Sequence, residues 1–172
     1  MPRGLMAAQG MDAFTQLLES YLSVRTNPLS DALAWSGLEA FAQGFWDALD
    51  GGDGEGARLG RSRLAYAALV SGITLAQVGL GAVHGLASPL GSLHPVPHGV
   101  ACGTLVAETT RVNLAALRAR SPGSAALDRY ARVGGLLGGT VGGAAAAPAD
   151  RLVDTLRDWP DRLELPRLSA FG

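Results

Sequence analysis

The chain is predicted to be all-α, and three observations predict it. Apolar residues recur at three- and four-residue steps through most of its length. Gly, Pro and capping residues interrupt these runs at helix-length intervals. No stretch shows the period-two alternation of a half-buried strand. Met11, Phe14, Leu17, Leu18, Tyr21 and Leu22 mark a first amphipathic helix. Asn27-Pro28 closes it and opens a second, because Pro suits a first helical turn. Leu29, Leu33, Leu38, Phe41, Phe45 and Leu49 form the apolar side of that second helix. A Gly-rich polar loop, Gly51 to Gly56, follows. The pattern then predicts a helix over about Arg61 to Val70 and a Gly-rich one over about Ile73 to Ala87, with the other helices packed around the latter. Gly79, Gly81, Ala82 and Gly85 are expected to let those neighbours approach closely. Pro95 to Pro97 reads as a loop, and a helix runs from about Gly99 to Leu117. Ser121-Pro122 is placed to cap another helix ending near Leu137. Gly138 to Pro148 reads as a small-residue linker, and Ala149 to about Arg157 as a last helix.

Composition narrows the function classes. With 172 residues the chain suits one domain with a real core, and 48% hydrophobic against 17% charged residues places it among globular proteins. A net charge of -1 without a basic cluster gives nucleic-acid binding no electrostatic support. Every basic residue is Arg, which excludes Schiff-base chemistry by lysine. The single Cys102 allows no intrachain disulfide and fits a reducing compartment, so a cytoplasmic location is expected. No charged neighbour in sequence lowers its pKa, so Cys102 is not expected to be a nucleophile. The segment from Leu64 to Ala107 holds no Asp, Glu, Lys or Arg, but its Gly, Ser and His residues and Pro89, Pro95 and Pro97 break it, so no membrane span is expected.

That uncharged segment holds all three histidines: His84, His94 and His98. A low-dielectric setting favours neutral imidazole, the form that binds metals. Asp12 and Gln16 are spaced i, i+4 and share a helical face, which Glu19 joins. A carboxylate from one helix and imidazoles from two others could converge on one divalent ion, as three ligands and an open position do at catalytic zinc. Fe(II) accepts the same oxygen and nitrogen donors. Other readings of these residues stand beside this one: Asp12 as a helix cap or dipole partner, His98 as a turn residue, His84 as a hydrogen-bonded core residue. The Gly79-Leu-Gly-Ala-Val-His-Gly run lacks the preceding strand and the spacing of a dinucleotide-binding loop.

Four segments resemble the group III, iron-containing alcohol dehydrogenase family: Met11-Asp-Ala-Phe-Thr-Gln-Leu-Leu-Glu-Ser-Tyr21, Asn27-Pro-Leu-Ser-Asp-Ala32, Gly81-Ala-Val-His-Gly-Leu-Ala-Ser-Pro-Leu-Gly91 and Pro97-His-Gly-Val-Ala101. They occur in collinear order over almost the whole chain and match the helical, C-terminal domain of that family. The family's other half, an α/β domain that binds NAD(P), has no counterpart in these residues. The resemblance implies a single helical metal-binding domain over residues 1–172, with that α/β half absent and the family's last helices missing beyond Leu165 to Gly172. It also implies that Asp12, His84 and His98 hold a divalent metal, Fe2+ or Zn2+. The family's fourth ligand, a His one turn after the Asp, is Gln16 here, a weaker, neutral donor. A further His found in many relatives near the nicotinamide is Ser88 here, and His94 is the substitute proton relay the resemblance suggests.

The activity so implied is metal-dependent oxidation and reduction of a small alcohol or aldehyde. NAD or NADP would come with a separate or missing nucleotide domain. The alternative is a truncated, non-catalytic helical remnant that serves only in assembly or has no activity. Such a remnant is expected to expose apolar surface that favours oligomers, and the expected partner is a second copy in a homo-oligomer or an α/β domain.

Overall fold

A computed structural model describes residues 1–138 and 147–172. Within them the chain forms seven α-helices and no strand: α1 (Arg3–Leu22), α2 (Pro28–Asp50), α3 (Glu55–Val78), α4 (Ala82–Leu93), α5 (His98–Arg120), α6 (Ala125–Leu137) and α7 (Pro148–Arg162), with a 3-10 turn at Leu168–Phe171. Most of the expected small-residue linker, residues 139–146, lies outside the described residues.

The central element is α1, which packs against α2, α3 and α5. Met11, Phe14, Leu17 and Leu18 are buried along its length. Phe14 meets Phe41 of α2 and Trp159 of α7 at ring-centroid distances of 5.1 and 5.3 Å, and Phe41 stacks on Phe45 at 4.4 Å. Burying each such ring contributes about 1.5–3 kcal/mol, so this aromatic cluster fixes α1 between α2 and α7.

Local chemistry explains the boundaries. Asn27 caps α2: its side chain accepts from the N–H groups of Leu29 and Ser30, while Ser30 Oγ accepts from the Asn27 N–H. Arg129 of α6 clamps Asp31 of α2 through two 2.6 Å bonds and also donates to the Tyr21 carbonyl at the end of α1. The guanidinium holds the Asp31 carboxyl below its usual range, against the opposing effect of burial.

The structure corrects several expectations. α1 begins at Arg3, so Asp12 lies in mid-helix and is not a cap. The helix expected over 73–87 is two elements. Gly79 adopts a left-handed φ of 71°, which ends α3, and α4 leaves at 101° to it. Gly81 also has a steric role: a Cβ there would stand 2.7 Å from Glu19 Oε1. Gly85, by contrast, faces open space and brings no helix close. Pro89 lies inside α4 without ending it. Both Pro89 and Gly85 are exposed, so the Gly85 carbonyl that Pro89 leaves without a donor can face water. The cap of α6 is Ser124, which accepts from the Ala126 N–H, and not Ser121. α7 runs on through Pro160 to Arg162. Among the described residues, no single helix is long and apolar enough to cross a membrane.

Candidate metal centre

The helical period of α1 sets Asp12, Gln16 and Glu19 along one side of that helix. The Gly79–Gly81 turn restarts the chain so that His84 falls in the first turn of α4. Pro97 starts α5, which makes His98 its first residue and puts Cys102 one turn further on the same side. These three helices converge. One donor atom from each of Asp12, His84, His98 and Cys102 lies within 4.8 Å of all the others.

His84 is held from both ring nitrogens. Its Nδ1 donates to Glu19 Oε2 at 2.7 Å, and its Nε2 lies 3.1 Å from Asp12 Oδ1. His98 Nε2 is 3.6 Å from the same Asp12 oxygen. Cys102 Sγ sits 3.7 Å from His84 Nε2, 3.6 Å from His98 Nε2 and 3.8 Å from Asp12 Oδ1. Glu19 has a second task. Its Oε1 accepts from the Val83 N–H at 2.7 Å and its Oε2 faces the His84 N–H at 3.4 Å. α4 has no side-chain cap of its own, so this carboxylate from α1 satisfies its first amides and orients His84 in one arrangement.

Gln16 turns its amide nitrogen to Asp12 Oδ1 at 3.2 Å, and its Oε1 accepts from Ser71 Oγ of α3 at 2.7 Å. In this orientation it steadies the carboxylate. His94 stands exposed at the end of α4 and is not one of the four converging residues. The site is graded in accessibility: the His84 side chain is 7% exposed, Asp12 27% and His98 43%, so it opens to solvent on the His98 side.

Burial works against the His84 imidazolium, but the hydrogen bonds to Asp12, Cys102 and Glu19 outweigh it and push its pKa up to about 11. The acceptors around His84 thus favour positive charge on the ring. A divalent cation among the same donors would answer that demand in place of the proton. Burial also raises the Cys102 thiol, with His84 acting in the opposite direction.

Sequence reasoning discounted Cys102, because the carboxylate it faces comes from 90 positions away. The i, i+4 step from His98 to Cys102 is the signal that could have found it. Glu19 was placed on the right face but given no task.

Comparison with known proteins agrees with this architecture. The family model "Fe-containing alcohol dehydrogenase family, C-terminal" matches residues 6–168. The chain is 39% identical over 115 residues to 1,3-propanediol dehydrogenase of Klebsiella pneumoniae, covering 67% of this chain and 29% of that protein. It is 37% identical over 113 residues to alcohol dehydrogenase 4 of Schizosaccharomyces pombe, covering 66% and 26%. A crystal structure of 1,3-propanediol oxidoreductase superposes with a TM-score of 0.78 at 31% identity, over 96% of this chain and 41% of that one. The chain thus spans well under half the length of these relatives. Its fold is that of their helical C-terminal part, and the chain belongs to the iron-containing alcohol dehydrogenase family.

Proposed function

We propose that this chain is the helical, metal-holding part of an oxidoreductase that interconverts a small alcohol and its aldehyde. The observation that carries the reading is the convergence of Asp12, His84 and His98, drawn from three helices, on one cluster that opens to solvent on one side. The Asp12 carboxylate and the two Nε2 atoms would hold a divalent ion. Bound there, such an ion supplies the Lewis acidity that lowers an alcohol's pKa. The chain's own residues do the rest. Glu19 keeps the His84 Nδ1 proton in place, so that Nε2 presents its lone pair. Gln16 steers the Asp12 carboxylate. The exposed edge at His98 is where a small hydroxyl compound reaches the site. Relatives named for 1,3-propanediol support a short-chain substrate. Hydride transfer needs NAD or NADP, which in this reading is presented by an α/β nucleotide-binding domain.

One observation favours the assembly-module alternative. Leu59, Tyr66, Leu69 and Ile73 form an exposed apolar stripe along α3, a surface suited to a second copy or a partner domain. A single experiment separates the two. Elemental analysis of the purified chain is expected to find about one divalent ion (Zn, Fe, Ni or Mn) per chain, and Asp12→Ala or His84→Ala to lose most of it. A folded chain without metal, scattering light as a multiple of 17.6 kDa, supports the module instead.

A further inference from the structure

We propose that Cys102 is the fourth protein donor of this centre, as a thiolate, and that its sulfur turns the site toward zinc and away from iron. The inference rests on the metal-holding reading above and goes beyond it in naming the ligand set and the metal it selects; with four protein donors in place, an alcohol reaches the ion by expansion to five-coordination.

Geometry carries it. A tetrahedral ion with metal–sulfur bonds of about 2.3 Å and metal–nitrogen bonds of about 2.0–2.1 Å has sulfur–nitrogen edges of about 3.6 Å and nitrogen–oxygen edges of about 3.4 Å. Cys102 Sγ stands 3.7 and 3.6 Å from the two Nε2 atoms and 3.8 Å from Asp12 Oδ1. The two Nε2 atoms stand 3.1 and 3.6 Å from that oxygen. Five of the six donor–donor separations thus lie within about 0.3 Å of the edges of a coordination tetrahedron, and the donors all lie within 4.8 Å of one another. His98 and Cys102 share the first two turns of α5, so the pair needs no backbone movement to close on an ion.

The rival fourth donor is Gln16. Its Oε1 is engaged by Ser71 Oγ, and the atom it turns to Asp12 is the amide nitrogen, which has no lone pair to give. To coordinate, it must turn over and abandon Ser71. Charge decides in the same direction. Asp12 and a Cys102 thiolate together neutralise a divalent cation, which suits a site where Cys102 is fully buried. Coordination breaks the S–H bond and the proton leaves to solvent. Thiolate is a soft donor, which zinc accepts readily, whereas the two-His, one-carboxylate set typical of non-haem Fe(II) contains no sulfur.

Cobalt(II) is the probe, added to the full chain, with zinc and iron(II) competed for the same site under anaerobic conditions. The expected result is a thiolate-to-cobalt charge-transfer band in the near ultraviolet. Cys102→Ser loses the band and loses at least about tenfold of the zinc-over-iron preference. Gln16→Ala keeps the band. Cobalt bound by the unmutated chain without that band, or a Cys102→Ser spectrum and preference unchanged from it, overturns the role of Cys102 and leaves the metal-holding reading intact. A folded unmutated chain that binds neither cobalt nor zinc overturns both.

Discussion

Glu19 is where holding a ligand can be separated from being one. Its Oε2 is 2.7 Å from His84 Nδ1, on the side of the ring away from the other donors. Glu19→Gln keeps an oxygen for the Val83 N–H but removes the charge that fixes the imidazole. Metal affinity is expected to fall about 10–100-fold while the helical content stays the same. Competition against a chromophoric chelator measures it, and an unchanged affinity would remove Glu19 from the site. The convergence of Asp12, His84 and His98 is legible in the sequence because the two histidines stand in a stretch without Asp, Glu, Lys or Arg and the family resemblance aligns all three. Cys102 was not, since its reactivity was judged from neighbours along the chain and its actual neighbours arrive through α1 and α4. For Gln16 the sequence shows a weak, neutral donor one turn after Asp12, and the bond to Ser71, 55 positions away, is what it does not show.

Among the elements, the crossing of α5 over α1 sets the distance between His98 and Asp12. A Cβ at Gly99 would meet the Ala8 carbonyl oxygen at 2.1 Å and its carbon at 2.5 Å, both backbone atoms that cannot swing aside. Gly99→Ala must push the helices apart, at about 1–3 kcal/mol. It should lower both the unfolding midpoint and the metal affinity, because His98 precedes it directly. Gly85→Ala is the matched control: nothing lies within 4 Å of its Cβ, and an alanine inside α4 is expected to stabilise by about 0.5–1 kcal/mol. Urea unfolding of the two variants should give opposite signs, and equal effects would refute the tight crossing. The extents of α2 and α5 were close to what apolar periodicity and capping indicated. The break between α3 and α4 was missed because Val78 and Val83, on either side of it, are both buried, so the apolar pattern runs across the turn. Pro89 misled in the other direction, since its cost depends on whether the orphaned carbonyl faces water.

For the whole molecule, the four donors link helices that the hydrophobic core links unequally. α1 is locked among α2, α3 and α5, whereas α4 lies mainly on α5 and touches α1 chiefly through Glu19, Asp12 and His84. An ion held by Asp12, His84, His98 and Cys102 would therefore tie α4 to the body of the fold, and folding and binding become one equilibrium. Free metal at 100 times its Kd adds about 2.7 kcal/mol to the folded state. In a chain of this size each kcal/mol is worth about 2–4 °C of Tm, so zinc should raise the midpoint by about 5–11 °C. A chelator should reverse the gain, and His84→Ala should abolish it, since that change removes both the ligand and the bond to Glu19. The shift should also grow with the logarithm of the free zinc concentration, which sets it apart from a nonspecific salt effect. Scanning calorimetry at several buffered zinc levels reads all of this at once. A midpoint that ignores zinc in a chain that binds it would mean that the donors are equally well gathered in the unfolded state, and the preformed centre described above would not exist.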